Sequence, residues 1–126
     1  MNYIVLDLEW NQSPRGKAGK HAQMPFEIIE IGAVKLDQDR KIVGKFNEVV
    51  HPAVYKQLHF KTKEILHIEM EELEEARGFE EVIRDFFRWC GGDYVMCTWG
   101  SMDLTELQRN LAFFRLPNPL PKPLLY

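Results

Sequence analysis

The sequence predicts one α/β domain on a mixed sheet, with three antiparallel strands, a fourth strand parallel to the first, and flanking helices. Three observations carry this expectation. The first half holds three apolar stretches, the last two joined by a polar turn; the second half shows helical periods; and one short apolar strand stands between two of those helices. A hairpin followed by α/β crossovers gives a mixed sheet with helices on its faces. The length of 126 residues fits a single domain, 1–126, and a domain of this size buries about two-thirds of its chain surface. Apolar types at 45% and charged types at 28% exclude a disordered or fibrous chain.

Tyr3 to Glu9 reads as a strand that is apolar on both faces until its acids appear, the pattern of a central strand covered on two sides. Asn11 to Pro25 follows as a loop with Arg15, Lys17 and Lys20 and no acid. Glu27 to Leu36 and Ile42 to Val50 are the next strands, and the polar Asp37-Gln38-Asp39-Arg40 between them marks an antiparallel hairpin. Lys61 to Ile68 reads as a short helix with Thr62 as a candidate N-cap. The seven glutamates between Glu69 and Glu81 read as a solvated helical face and turn. Phe79, Val82, Ile83, Phe86 and Cys90 have the helical period and stop at Gly91-Gly92. Phe87 and Trp89 belong to the same core. Asp93 to Thr98 is a short strand, and Leu104, Leu107, Leu111 and Phe114 give a last amphipathic helix. Alternating Pro117, Pro119, Pro121 and Pro123 read as a crossover linker, with a polyproline II ligand as the alternative.

Net charge is −3, split as +3 over residues 1–63 and −6 over residues 64–126. A bulk electrostatic nucleic-acid binder is basic overall, so any nucleic-acid contact here must be local or metal-mediated. No apolar run has the length of a membrane span, and no basic region precedes a hydrophobic stretch at the N-terminus. Cys90 and Cys97 lack metal or redox spacing. The expectation is a cytoplasmic protein with reduced thiols and no membrane.

Asp7 and Glu9 stand two apart on a strand, so both carboxylates leave the same face. Carboxylates inside an apolar strand are costly without a compensating cation or donor, and Mg²⁺ takes such oxygens while keeping several waters. The same pair also fits the exposed end of a strand. Asp103 begins the last helix, where Asp103-Leu104-Thr105-Glu106 fits a capping box. It also lies where strand ends converge on a crevice in an open sheet.

Taken together, these segments resemble a known family. Ile4-Val5-Leu6-Asp7-Leu8-Glu9-Trp10-Asn11-Gln12 is similar to the first motif of the DEDDh 3′–5′ exonucleases. Glu27-Ile28-Ile29-Glu30-Ile31-Gly32-Ala33-Val34 resembles their second strand, the segment from Ile65 to Cys90 their two helices, and Thr98-Trp99-Gly100-Ser101-Met102-Asp103 their second motif. Within that family the chain resembles the KapD-like and Eri-type branch. The resemblance implies a ribonuclease-H-like fold and removal of nucleoside 5′-monophosphates from the 3′ end of single-stranded DNA or RNA. It implies two Mg²⁺ or Mn²⁺ ions, with Asp7 bridging both, Glu9 on the ion that activates water and Asp103 on the other. Leu8, Trp10 and Trp99 would then lie against the substrate.

Leu66-His67 stands where the family often has Thr-Gly, and Trp10 where it commonly has Thr. The family's third motif, a His and a further Asp, has no match after Asp103. His21, His51, His59 and His67 all precede the second motif and read as loop or surface residues. The expectation is therefore a C-terminally incomplete, nearly inactive exonuclease domain. Its Leu124-Leu125-Tyr126 would open a fifth strand, and its uncovered C-terminal edge could self-associate. The alternative is a non-catalytic nucleic-acid or protein interaction module of the same fold.

Overall fold

The computed structural model describes residues 1–120. Its strands are β1 (Asn2–Asn11), β2 (Glu27–Leu36), β3 (Ile42–Val49) and β4 (Tyr94–Cys97), in sheet order β3-β2-β1-β4. β1 pairs antiparallel with β2 and parallel with β4, and β2 pairs antiparallel with β3. This is the expected mixed topology, with β1 central. The calls on Pro121, Pro123 and the fifth strand at 124–126 lie outside the described residues.

Among the described residues four α-helices accompany the sheet: α1 (Phe60–Leu66), α2 (Met70–Glu74), α3 (Phe79–Cys90) and α4 (Met102–Phe113). Pairing parity puts Ile4, Leu6, Leu8, Ile31, Ala33 and Met96 on one face, where they join Val82, Ile83 and Phe86 of α3 and Leu104, Leu107 and Leu111 of α4 in the main core. Phe87 and Trp89 pack against this cluster, as their helical period implies. α1 and α2 lie over the opposite face at one end only, around Ile29, Ile68 and Leu73.

The expectation that β1 is covered on both sides is therefore corrected. Val5 is 44% exposed and Asp7 is exposed on the face away from α3 and α4. Apolar residues at both parities signalled a central strand correctly, but no described helix reaches over Val5.

Local chemistry accounts for the element ends. In the hairpin, Asp37 Oδ1 accepts from the N–H groups of Asp39 and Lys41 at 2.8 and 3.0 Å, and Arg40 takes φ +63°. α3 stops at Gly91, whose φ of +82° an L side chain rarely adopts. The α1 cap differs from expectation. His59 Nδ1 accepts from Lys61 N at 3.1 Å, so the helix starts before Thr62, which lies inside it and is buried. The other histidines also have structural places. His51 Nδ1 stands 3.1 Å from the Leu73 and Glu74 carbonyls at the end of α2, and His67 is the left-handed C-cap of α1.

Candidate active site

Alternation along β1 turns Asp7 and Glu9 to the face opposite Ile4, Leu6 and Leu8. Across the ladder Asp7 faces Gly32, which has no side chain to cover it, and Glu9 faces Glu30. The register shifts between Glu9 and Trp10, which next pairs with Ile28. Such a bulge sharpens the local twist and re-aims side chains beside a site.

Asp103 comes to the same place from the far end of the chain. β4 ends at Cys97, opposite Val5, so β1 runs on beyond its last parallel partner. There the N–H of Leu8, the residue between the two β1 acids, donates to Asp103 Oδ2 at 3.0 Å. This overturns the capping-box reading. The N-cap position of α4 is Ser101, which makes no side-chain cap bond, and Asp103 lies in the first turn. Glu106 does not reach back either; it is buried and pairs with Arg109 at 2.9 Å.

The acids disturb one another. Burial raises the Glu9 carboxyl above its ordinary value, and Asp7, Glu30 and Asp103 raise it further. Burial likewise raises Glu30, with Asp7 adding to it. Asp103 is raised by burial; the Leu8 N–H opposes this and Asp7 reinforces it. Among the described residues none of these four carboxylates has an ion-pair partner. An all-oxygen donor set with unrelieved negative charge suits a hard divalent cation. Among the described residues, however, no three acid, His or Cys side chains already stand as a formed metal site. The set is an open one.

A cavity of about 220 Å³ adjoins it, with Leu8, Glu9, Trp10 and Gln12 on one wall and Lys61, Thr62, Ile65 and Leu66 of α1 on the other. Leu8 itself is buried in the core, while the Trp10 ring packs on Phe26 at 5.7 Å between centroids. Trp99 is 99% exposed in the turn before α4, where Thr98 Oγ1 donates to the Gly100 carbonyl at 2.5 Å.

Buried polar residues that sequence reasoning missed hold these walls in place. Glu27 Oε2 accepts from the N–H groups of Ala53 and Val54 at 2.7 and 2.9 Å, and its Oε1 from Tyr55 N at 2.9 Å. Asn11, directly across the ladder from Glu27, accepts from His59 N at 2.9 Å and donates to the Gln57 carbonyl at 2.9 Å. Together they fix the segment leading into α1. Asn110 does the same for α4: its Oδ1 accepts from Ile28 N at 3.1 Å, and its Nδ2 donates to the Phe26 and Glu106 carbonyls. Glu30 was findable by strand parity alone, whereas the partners of Asn11, Glu27 and Asn110 are set by tertiary structure.

Comparison with known proteins bears on this arrangement. The family model RNase_T, described as Exonuclease, matches residues 4–123. The nuclease domain of 3′hExo, a DEDDh family member solved bound to rAMP, superposes with a TM-score of 0.80 at 24% identity, over 96% of this chain and 64% of that one. The chain belongs to the DEDDh 3′–5′ exonuclease family. Among curated members of related sequence, the probable 3′-5′ exonuclease KapD of Bacillus subtilis is 32% identical over 117 residues, 92% of this chain and 56% of that protein. DNA polymerase III PolC-type of Thermotoga petrophila is 37% identical over 106 residues, which is 7% of its length. This DEDDh chain thus spans about half of KapD and a small part of the polymerase. The fold is the ribonuclease-H-like one of its structural neighbours.

Proposed function

We propose that this chain carries the metal-binding part of an exonuclease that releases nucleoside 5′-monophosphates from the 3′ end of single-stranded DNA or RNA. The observation that carries the reading is the bond from Leu8 N to Asp103, which brings the second-motif acid against Asp7 and Glu9 across 95 positions. Asp7, Glu9 and Asp103 are the residues that would hold Mg²⁺ or Mn²⁺, and their unpaired carboxylates fit such ions. Divalent ions held by these carboxylates would supply charge stabilisation for the attacking and leaving oxygens of an in-line displacement.

The protein's own groups do the positioning. The Leu8 N–H orients Asp103, and the α1 wall leaves a slot beside Glu9 in which Trp10, Ile65 and Leu66 offer apolar surface to the terminal nucleoside. Trp99, fully exposed beside α4, is free to stack on a base. No His follows Asp103 in this sequence. The reading therefore leaves the general base and one further ligand outside these 126 residues, and little trimming is expected from the chain by itself. Among the described residues no helix is long and apolar enough to cross a membrane. Separately, we propose a cytoplasmic protein with reduced thiols, since Cys90 and Cys97 are free and lack metal or redox spacing.

The unmatched third motif favours a second reading, an interaction module that binds nucleic acid or protein without cleaving. Incubating a 3′-labelled oligonucleotide with Mg²⁺, alone and with a separately supplied segment bearing the missing His and Asp, separates the two. Restored release of monophosphates supports the exonuclease, and binding without release supports the module. We also propose that the chain self-associates through the β4 edge and the face around Val5, which among the described residues are unpaired and uncovered, since such edges and apolar patches template association. Light scattering should give a mass above 14.9 kDa; a monomer at all concentrations would contradict it.

A further inference from the structure

The loop between β1 and β2 forms a second concavity, of about 170 Å³, whose lining includes Gln12, Ser13, Gly16, Lys17, Lys20 and Phe26. Among the described residues the lysines are the only charged ones on that lining. From Gln12 to Phe26 the sequence has no acid. Among the described residues Arg15, Lys17 and Lys20 have no ion-pair partner.

The loop is also built rather than loose. Ser13 is buried; its Oγ accepts from Arg15 N at 3.3 Å and its carbonyl from Gly16 N at 3.1 Å. Gly16–Gly19 is one 3₁₀ turn, with φ +62° at Gly16, and a Cβ on Gly19 would stand 2.8 Å from Ser13 Oγ. At the far end Tyr55 Oη donates to the Met24 carbonyl at 2.6 Å and accepts from His21 N at 3.1 Å. Both ends of the basic segment are thus tied to buried groups, and the lysines stand on a preformed rim.

This concavity neighbours the slot beside Glu9. Gln12 lines both, and Trp10 of the slot packs on Phe26 of the concavity. A polyanion drawn to the acid site meets unrelieved carboxylates there, so cations at the adjoining concavity supply local attraction that the net charge of −3 does not.

We propose that Lys17 and Lys20 bind a phosphodiester of the nucleic-acid strand whose end lies at Asp7 and Glu9, an inference that rests on the exonuclease reading of that site. The test is fluorescence anisotropy of the 126-residue chain in Mg²⁺, using a ten-nucleotide single strand with phosphorothioate 3′ linkages. A dinucleotide, which fills the slot alone, competes in parallel. In the double variant Lys17→Gln, Lys20→Gln, affinity for the ten-mer should fall about tenfold. The slope of log affinity against log salt should shrink by about 1.4, the loss of two phosphate contacts on a single strand. Dinucleotide affinity should not change. Unchanged ten-mer affinity and slope in the double variant would overturn the lysine site while leaving the exonuclease reading intact. Failure of the unaltered chain to bind either oligonucleotide would overturn both.

Discussion

The amide of Leu8 donates to Asp103 Oδ2 at 3.0 Å, joining the middle of β1 to the first turn of α4. Leu8 sits between Asp7 and Glu9, with its side chain in the core and its N–H at the acid site. One hydrogen bond thus ties core packing to the placement of the acids.

Replacing Asp103 should separate structure from charge. Asp103→Asn keeps an acceptor for the Leu8 N–H while removing a buried charge, so it should not lower the urea midpoint. Asp103→Ala orphans that N–H and should cost about 1–2 kcal/mol. Asp103→Ser, which a capping role would tolerate, should behave like the alanine variant because its side chain is too short to reach Leu8. Both Asn and Ala should weaken Mn²⁺ binding.

Stability should respond to pH through the acids. The folded pKa values of Glu9, Glu30 and Asp103 lie above their ordinary values. The folded state therefore holds these protons more tightly than the unfolded chain. Their contribution to stability is fully present below the unfolded carboxylate range, about pH 4, and is lost as pH rises through the folded values. Without metal, Glu9→Gln should raise the melting temperature at pH 7, and the gain should vanish below about pH 4. An equal gain at both pH values would show that burial and crowding of the ionised carboxylate are not its source.

Glu27 should prove costly to change although it touches no substrate. Its buried carboxylate takes three backbone N–H groups, and the amide of Glu27→Gln turns one acceptor into a donor facing a donor. Each charged hydrogen bond lost is worth about 1.5–3 kcal/mol. A fall of that size in urea-derived stability is expected, with faster hydrogen exchange at Ala53, Val54 and Tyr55.

Asn110→Leu should loosen α4 in the same way. It leaves Ile28 N and the Phe26 carbonyl without their side-chain partner, at about 1–3 kcal/mol each for a buried unsatisfied group. Hydrogen exchange at Ile28 is the direct readout.

How legible the molecule was in its sequence depends on the range of the interactions involved. Strand alternation and the Asp37 turn are local, so the sheet and its hairpin could be read directly. The same holds for α3, whose period runs unbroken to Gly91. α2 spans only Met70–Glu74, too short for a period to show within a run of glutamates. Thr62 reads as a cap and Asp103 as either a cap or a metal ligand, because both are good cap residues. The deciding partners were His59 Nδ1, whose ring nitrogen is a less common cap, and the Leu8 N–H, 95 positions away. At the site, the resemblance to the exonuclease motifs, rather than spacing by itself, picks out Asp7, Glu9 and Asp103. Glu30 shares their face by strand parity, while the supports from Asn11, Glu27 and Asn110 depend on loops that fold back from far along the chain.

Isothermal titration of Mn²⁺ or Mg²⁺ into the 126-residue chain tests the central claim most directly. The expected result is saturable binding that Asp7→Ala abolishes and Glu9→Ala reduces, while Glu30→Ala leaves it largely intact. Binding of undiminished strength in a folded Asp7→Ala variant, or no binding by the unaltered chain, would contradict the assignment of these acids to a metal site.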